Sequence, residues 1–290
     1  MEFLSVLLSS LLFIGSPVGV VLDQVAEDAI RARLVDVEEI SVRVDNASAL
    51  RLLQGKVDKV RIGARGVYPI DNFRVAIADL ETDAIDLDFG NLKRGRVVLD
   101  HPLNGAVHVV ITPEDLNAFL QSPTFSERLE RIPINLGTAA QSRDAQRYQL
   151  TNPEAAFLPD NRLRLKFDLA DRTSIENIEN TGGATTDSAD PEPDTSNPDT
   201  PEPFTLSIVA ETGFSIEDGH RLMLIDPQVS VNGNEAPAQL LETFTENLGD
   251  RLSLRQLEDE GVTLRILNAS LEPEDLDLAL WVQIDPSFTR

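Results

Sequence analysis

Apolar and polar residues alternate along most of this chain, and that pattern limits the fold more than any other feature. Ile40, Val42 and Val44 alternate with polar residues, and the segments 73–77 and 107–111 repeat the pattern. A period of two predicts β-strands with one apolar and one polar face. Parallel strands are usually apolar on both faces, so the pattern favours antiparallel sheets.

The order of predicted elements favours an α+β fold. Strands are expected at 40–44, 55–67, 72–84, 85–89, 97–99, 107–111, 147–158, 162–170, 204–216, 221–232, 262–266 and 276–284. Helices are expected at 18–34, 113–122, 126–131 and 236–249. Several strands exceed the usual length of about five to six residues, and a β-bulge is expected near Asp58 and Lys59, where the alternation slips. Because long, bulged strands curl, we predict a long curved antiparallel β-sheet wrapped around a few helices.

The sequence predicts the start of one helix from three adjacent signals. Thr112 is expected to be the N-cap, Pro113 the first helical residue, and Asp115 the acid of a capping box. Leu116 belongs to the apolar side of this helix.

The first 22 residues form an apolar segment with three open interpretations. Residues 3–22 are about long enough to cross a hydrocarbon core. The segment carries Glu2 where a signal peptide carries Lys or Arg, and Pro17 interrupts it. It can be a membrane anchor or interfacial segment, a degenerate signal peptide, or a core helix. The first two place the protein at a membrane.

Acidity is concentrated in one segment. The formal net charge is −24, and residues 173–203 hold eight carboxylates without any Lys or Arg. This composition predicts a disordered acidic insertion at 174–203. We expect it to interrupt a hairpin within a single domain at 23–290, the alternative being a linker between two domains. The overall charge disfavours nucleic acid as a partner.

Signs of catalysis and of cofactor binding are weak. The chain has no cysteine, which excludes disulfides and thiol chemistry. Its three histidines follow no metal-ligand or catalytic spacing, and no phosphate-binding or nucleophile motif occurs. Asp83, Asp86 and Asp88 can be Ca²⁺ ligands or carboxylates on the polar side of a strand. We predict no catalytic residue, no metal, no cofactor and no enzymatic activity.

Basic residues cluster on one predicted strand, at Lys56, Lys59, Arg61 and Arg65. A second cluster lies in one predicted turn and consists of Lys93, Arg94 and Arg96. Such clusters can face anionic headgroups, at about 1 kcal/mol for each charge near the surface. Ordinary cross-strand pairing with carboxylates is the alternative.

Several short motifs carry a family resemblance. They are LLQGKVD at 52–58, I-x-x-x-GV at 62–67, FRV at 73–75, ETD at 81–83, IDLDFG at 85–90, PL at 102–103 and T-x-x-DLN at 112–117. Through them the chain resembles the LmeA-like phospholipid-binding family, most closely over 18–121. The resemblance implies an envelope-associated protein related in shape to tubular lipid-binding folds, in which a curved sheet encloses acyl chains. It implies no individual lipid-binding residue.

The predicted sheet has more apolar surface than the few predicted helices can cover. We therefore expect an apolar groove between the 18–34 helix and the sheet, filled by the acyl chain of a phospholipid or another lipid. Its predicted wall consists of Leu22, Val25, Ala29, Ile30, Val57, Ile62, Phe73, Val75 and Leu116.

These observations predict a lipid-binding or lipid-transfer protein at a membrane surface. The cell envelope or its periplasmic face is the expected location, with the cytoplasmic face also open. A scaffolding protein that recruits a protein partner through the acidic insertion is the main alternative. A carboxylate-dependent hydrolase is a weaker one, because abundant Asp and Glu permit it but no spacing demands it.

Overall fold

The computed structural model describes residues 22–45, 50–51, 54–92, 94, 98–129, 148–171, 205–236 and 253–289. The helices are α1 (Leu22–Arg31), α2 (Phe89–Leu92), α3 (Pro113–Leu120) and α4 (Pro123–Leu129), with 3₁₀ helices at Leu254–Glu260 and Pro286–Thr289. The first strands are β1 (Asp36–Asp45), β2 (Lys56–Val57), β3 (Lys59–Ile70), β4 (Phe73–Thr82), β5 (Ile85–Asp86) and β6 (Leu103–Ile111). The later ones are β7 (Tyr148–Leu158), β8 (Arg162–Asp171), β9 (Thr205–Glu217), β10 (Arg221–Val231), β11 (Asn234–Glu235), β12 (Val262–Glu272) and β13 (Asp275–Ile284).

These strands form two principal antiparallel sheets, where the sequence predicted one long sheet. The six-stranded sheet has the order β1-β3-β4-β6-β13-β12, and the five-stranded sheet has the order β11-β10-β9-β8-β7. A small ribbon pairs β2 with β5. The expected antiparallel, sheet-dominated architecture is confirmed. The division into two sheets was not predicted, because an alternating pattern fixes which residues share a face but not which strands are neighbours.

The connection between β8 and β9 bears on the predicted acidic insertion. These two strands pair side by side, from Arg162 opposite Gly213 to Ala170 opposite Thr205. The connecting segment therefore joins two neighbouring antiparallel strands. Residues 174–203 themselves lie outside the described residues, as do the apolar segment before Leu22 and the predicted helix at 236–249 beyond Ala236.

Helix α1 lies against β1 and hydrogen-bonds to its main chain. The Asp23 carboxylate accepts from the Val44 N–H at 2.9 Å, and the Arg31 guanidinium donates to the Val37 carbonyl at 3.1 Å. An outer strand with unpaired main-chain groups invites pairing with other chains, so these side chains protect it. The predicted helix at 18–34 ends earlier than expected, at Arg31, and a turn follows.

The start of α3 follows the prediction in part. The Thr112 hydroxyl accepts from the Asp115 N–H at 3.1 Å, as an N-cap does. The Asp115 carboxylate accepts from the Arg74 guanidinium at 3.0 Å. Arg74 also binds both carboxylate oxygens of Glu38, at 2.8 and 3.0 Å. This charged network joins β1, β4 and α3.

Irregular main chain at the β2–β3 junction lies where the bulge was expected. The two strands are interrupted at Asp58. The buried hydroxyl of Thr82 accepts from the Val60 N–H at 3.0 Å and donates to the Asp83 carbonyl at 2.9 Å. A buried donor without a partner costs about 1–3 kcal/mol, so Thr82 stabilises this junction. The strand predicted at 85–89 is shorter than expected, because Phe89 begins α2.

Turns of the five-stranded sheet contact β12, the outer strand of the six-stranded sheet. The Leu271 N–H donates to the Asn161 side-chain oxygen at 2.7 Å, and the Ile266 N–H donates to the Gly219 carbonyl at 2.6 Å. Asn161 and Gly219 lie in the β7–β8 and β9–β10 turns. Turns of the five-stranded sheet therefore satisfy main-chain groups on β12.

Helix α3 makes a second connection between the sheets. The Asn117 side chain donates to the Ala155 carbonyl at 2.7 Å and accepts from the Ala155 N–H at 2.8 Å. It thus binds β7 as a neighbouring strand would.

Candidate functional site

The space between α1 and the six-stranded sheet is where the sequence predicted a lipid groove. A cavity of about 10 Å³ remains there, which is room for about one water molecule. Its lining consists of Ile30, Leu34, Ile40, Ile62, Ala64, Val67, Ala78, Asp79, Leu80 and Val107. Among the predicted groove residues, Ile30 and Ile62 line this cavity. An acyl chain enters here only if α1 moves away from the sheet.

The remaining predicted groove residues are distributed over the core. Val57 and Val75 are buried in the hydrophobic cluster of the six-stranded sheet. Phe73, Ala29 and Leu116 are half-buried, and the ring of Phe73 lies 5.0 Å from that of Phe119 on α3. Leu22 and Val25 belong to α1, for which only the main chain is described at these two positions.

The basic residues proposed to contact headgroups all form ion pairs with carboxylates. Lys56 binds Asp86 at 2.6 Å, and Arg65 binds Asp79 at 2.6 Å. Arg61 binds Asp45 at 2.7 Å. Glu81 accepts from both Lys59, at 2.5 Å, and Arg61, at 3.0 Å, and these hydrogen bonds lower the pKa of Glu81. The structure therefore places these four cations in the cross-strand pairing that was the alternative interpretation.

The three aspartates considered as calcium ligands have separate partners. Asp83 accepts from the Asn104 side chain at 2.6 Å, and Asp86 accepts from Lys56. Asp88 accepts from the N–H and side chain of Asn91 at 2.9 and 2.8 Å, and these bonds lower its pKa. Within the described ranges, no three His, Asp or Glu side chains group as a metal site requires.

A different apolar surface lies on the five-stranded sheet. Residues directly opposite in the register share a face: Leu165 pairs with Ala210, Phe167 with Ile208, and Leu169 with Leu206. The same face continues over β7 and β10. We call it the apolar face of the five-stranded sheet; it consists of Leu150, Ala155, Phe157, Leu163, Leu165, Phe167, Leu169, Leu206, Ile208, Ala210, Phe214, Ile216, Leu222, Leu224, Val229 and Val231.

This apolar face is only partly covered. Four of its members, Ala155, Phe157, Leu169 and Ala210, are buried, and the other twelve are half-buried. The main hydrophobic cluster of the described residues belongs to the six-stranded sheet and its flanking elements, and the five-stranded sheet contributes no member to it. The twelve half-buried members leave a contiguous, partly exposed apolar surface on this sheet.

The opposite face of the five-stranded sheet is charged. Arg162 and Arg164 both donate to the Glu211 carboxylate, at 3.0 and 2.9 Å, and these bonds lower the pKa of Glu211. Lys166 lies 3.7 Å from Glu154. One face of the sheet is thus charged and the other apolar, although the charged face also carries Met223 and Ile225, which are 40% and 43% exposed.

His108 lies between two carboxylates on the polar face of the six-stranded sheet. Its Nε2 lies 3.0 Å from the Asp277 carboxylate, and its Nδ1 lies 3.7 Å from that of Asp79. The hydrogen bond with Asp277 is the main cause that raises the pKa of His108, and Asp79 adds to it. The imidazole lines a shallow, open groove on the polar face of the six-stranded sheet, whose floor includes Gly63, Ala106 and Ala279.

We predict that stability falls as pH rises through the raised pKa of His108. The folded protein favours the protonated imidazole, so this contribution is complete below the ordinary pKa of 6.5 and is lost above the folded value. Urea unfolding at about pH 6 and about pH 8 measures the difference. In His108→Gln this part of the pH dependence should disappear. Glu211 does not affect stability in this range, because its lowered pKa matters only as the pH falls below the ordinary value of 4.5. An unchanged pH dependence of stability in His108→Gln would therefore contradict the assignment to His108.

Comparison of the chain with models of protein families found one match. A family described as LmeA-like phospholipid-binding matches residues 15–280 of the 290-residue chain. The chain belongs to this family. The resemblance seen in the short sequence motifs is thereby confirmed, and it extends well beyond residues 18–121. No curated protein and no solved structure matches the chain.

Membership of the LmeA-like family gives the apolar surfaces a chemical context. The residues predicted to contact lipid lie in α1, α3 and strands β2, β3 and β4, and none of them belongs to the apolar face of the five-stranded sheet. A signal for it was present, since the segments 162–170, 204–216 and 221–232 alternate in the same way as the other strands. Among the described helices of this LmeA-like protein, none combines the length and hydropathy needed to span a bilayer.

Proposed function

We propose that this LmeA-like protein is a membrane-associated phospholipid-binding protein that receives acyl chains on the apolar face of the five-stranded sheet. The observation that carries the proposal is the partial exposure of that face, with twelve of its sixteen side chains only half-buried. Family membership supports phospholipid as the ligand. The activity is binding or transfer, and no step of the proposal requires catalysis.

The dimensions of this face suit an acyl chain. Strands β8, β9 and β10 contain 10, 13 and 11 residues, which corresponds to lengths of about 33–43 Å at about 3.3 Å per residue. One leaflet of a bilayer has a hydrocarbon thickness of about 15 Å, half of the ~30 Å core. A chain that spans one leaflet therefore fits along the strands with room to spare.

The energetics favour apolar contact on this face. Removing one CH₂ group from water gains about 0.8 kcal/mol, and half-buried side chains such as Phe167, Ile208 and Leu224 lose further apolar surface when a chain lies across them. The charged opposite face keeps the complex in water. The tubular arrangement that the family resemblance implies, with a sheet curled around helix and lipid, is part of the same proposal.

The proposal is tested on the cross-strand pair Phe167 and Ile208, near the middle of the face. The full-length double variant Phe167→Ser with Ile208→Ser should be purified with about tenfold less bound phospholipid than the native protein. The reason is that two or more CH₂ groups of the acyl chain lose their apolar contacts, at about 0.8 kcal/mol each. Native mass spectrometry and lipid extraction measure the content, and transfer between vesicles measures exchange.

Two controls locate the effect. Leu267→Ser changes an exposed side chain on the β12 bulge and should leave lipid content unchanged. Ala64→Val narrows the small cavity beneath α1 and should also leave it unchanged. Loss of lipid in Ala64→Val, with no effect of the double variant, would move the site to the groove predicted from sequence. If the native protein carries no lipid and transfers none between vesicles, the proposal is wrong.

The scaffolding alternative makes a separate prediction. It requires a protein partner that binds the acidic segment, so deletion of residues 174–203 would abolish partner capture while lipid content stays the same. Under the lipid-binding proposal, the same deletion leaves vesicle transfer intact.

A further inference from the structure

One end of the five-stranded sheet lies against β12. The Asn161 side chain in the β7–β8 turn accepts from the Leu271 N–H at 2.7 Å, and the Gly219 carbonyl in the β9–β10 turn accepts from the Ile266 N–H at 2.6 Å. The N–H of Leu254 also hydrogen-bonds to the β9–β10 turn, at 2.8 Å. Elements of the six-stranded half of the protein therefore lie directly beyond the strands here. We call this the turn end of the sheet; it consists of residues 158–164 and 213–224.

The opposite end of the sheet is formed by the start of β7, the end of β8, the start of β9 and the β10–β11 turn. The Asn232 N–H donates to the Ser207 carbonyl at 2.8 Å, and the Asn232 side chain accepts from the Ser207 N–H at 2.9 Å. These hydrogen bonds stay within the five-stranded sheet. We call this the far end; it consists of residues 148–152, 167–171, 205–210 and 228–236.

The two ends differ in charge. The turn end contains three carboxylates and three arginines, so its formal charges balance. The far end contains no Lys or Arg, and its three carboxylates are those of Asp168, Asp171 and Glu235. The far end is therefore negative on the described residues alone.

The connection between β8 and β9 adds to this difference. Strand β8 ends and β9 begins at the far end, where Ala170 lies opposite Thr205. The intervening residues 173–203 hold eight carboxylates without Lys or Arg. Because this segment is attached to the sheet at the far end on both sides, its negative charge adds to that of the far end rather than to that of the turn end.

We propose that the apolar face of the five-stranded sheet selects phospholipids whose headgroup has no net negative charge, with the headgroup at the far end and the acyl chains directed toward the turn end. This inference rests on the proposed function. A charged headgroup has to remain hydrated, and β12 lies beyond the turn end, so the headgroup is placed at the far end. Carboxylates there repel an anionic headgroup and attract the ammonium group of a zwitterionic one.

Transfer of two phospholipids with identical acyl chains tests this selectivity. Trace phosphatidylcholine or trace phosphatidylglycerol is placed in vesicles that otherwise consist of phosphatidylcholine, so that both donor membranes have nearly the same surface charge. The native full-length protein should transfer phosphatidylcholine about threefold faster than phosphatidylglycerol, as expected for exposed charges. Added salt should reduce this ratio, because it screens the carboxylates.

Charge-neutralising variants locate the cause. Asp171→Asn with Glu235→Gln should lower the ratio, and replacement of all eight carboxylates of 173–203 by their amides should lower it further. Both variants should transfer phosphatidylcholine at the native rate. Glu217→Gln with Asp218→Asn is the matched control, since it removes two exposed carboxylates at the turn end and should leave the ratio unchanged.

The absence of cysteine in the chain allows the orientation to be measured. The two ends are separated by the length of the strands, about 33 Å for the ten residues of β8 at about 3.3 Å per residue. Phosphatidylcholine with a nitroxide on its headgroup should quench a dye on Asn234→Cys, at the far end, more strongly than a dye on Asp218→Cys, at the turn end. Both positions are exposed.

The possible results separate this inference from the proposed function. Equal transfer of both lipids, preferred transfer of phosphatidylglycerol, or a ratio that changes as much in the turn-end control as in the far-end variants would overturn the selectivity and leave lipid binding intact. Stronger quenching at Asp218→Cys would reverse the orientation and overturn the inference. Transfer of neither lipid by the native protein would instead refute the proposed function, and this inference with it.

Discussion

Asn117→Ala is expected to lower the free energy of unfolding by about 2–6 kcal/mol. The side chain makes both hydrogen bonds to the buried Ala155 main chain, so its removal leaves one donor and one acceptor of β7 without partners. Each buried group left unsatisfied costs about 1–3 kcal/mol. The same side chain also donates to the Pro113 carbonyl at 2.8 Å, so the substitution also weakens the first turn of α3.

Urea unfolding followed by two probes measures this effect. Trp281 is the only tryptophan and lies in β13, so its fluorescence reports on the six-stranded sheet, whereas far-UV circular dichroism reports on both sheets. In the native protein the two transitions should coincide, and in Asn117→Ala they should separate because α3 no longer holds β7. Asn234→Ala, at an exposed position in β11, is the matched control. A midpoint equal to the native one would show that the Asn117 contacts carry little energy.

Gly66→Ala is expected to have the second large effect. Gly66 has a φ of +58°, where a residue with a Cβ is strained by about 1–3 kcal/mol. A Cβ at this position would also overlap the carboxyl end of Glu38. Glu38 cannot move aside without leaving Arg74, which binds both of its oxygens and also Asp115. The substitution therefore disturbs the contact among β1, β4 and α3.

A double variant separates the two causes. Combining Gly66→Ala with Glu38→Ala removes the overlap and leaves the main-chain strain, so its unfolding midpoint should lie above the value expected from adding the single effects. Gly233→Ala tests main-chain strain alone, because Gly233 has a φ of +77° and open space where an added Cβ would lie. If Gly66→Ala were no more destabilising than Gly233→Ala, the Glu38 side chain would have moved aside without loss of stability, and the predicted cost of the overlap would be wrong.

Several local features were readable from the sequence because short-range chemistry decides them. The alternation at 40–44 and 107–111 predicted β1 and β6, since a period of two has no other common structural cause. Thr112 and Pro113 predicted the start of α3, because capping depends on residues within one turn. The phase slip near Asp58 predicted a β-bulge; the chain is interrupted there between β2 and β3, and the register shift of β3 against β4 lies between Val67 and Ile70. Family membership was also readable, from motifs that lie close together in the chain.

The packing around the predicted lipid groove was not readable in the same way. The predicted wall around α1 included Ile30 and Ile62, which do line a space there, but that space holds about one water molecule. How closely a helix packs on a sheet depends on side chains from several distant segments. The apolar face of the five-stranded sheet arises only when β7 to β10 assemble in register.

The sequence by itself determined that the chain forms antiparallel strands with one apolar face each, that Thr112 starts a helix, and that the protein belongs to a phospholipid-binding family. The tertiary structure alone decided that the strands divide into two sheets, that the cations of β3 pair with Asp79 and Glu81 on β4, and that the apolar face of the five-stranded sheet stays half-covered. The physical reason is that alternation assigns each side chain to a face, whereas the neighbour of a strand is chosen by long-range register and packing.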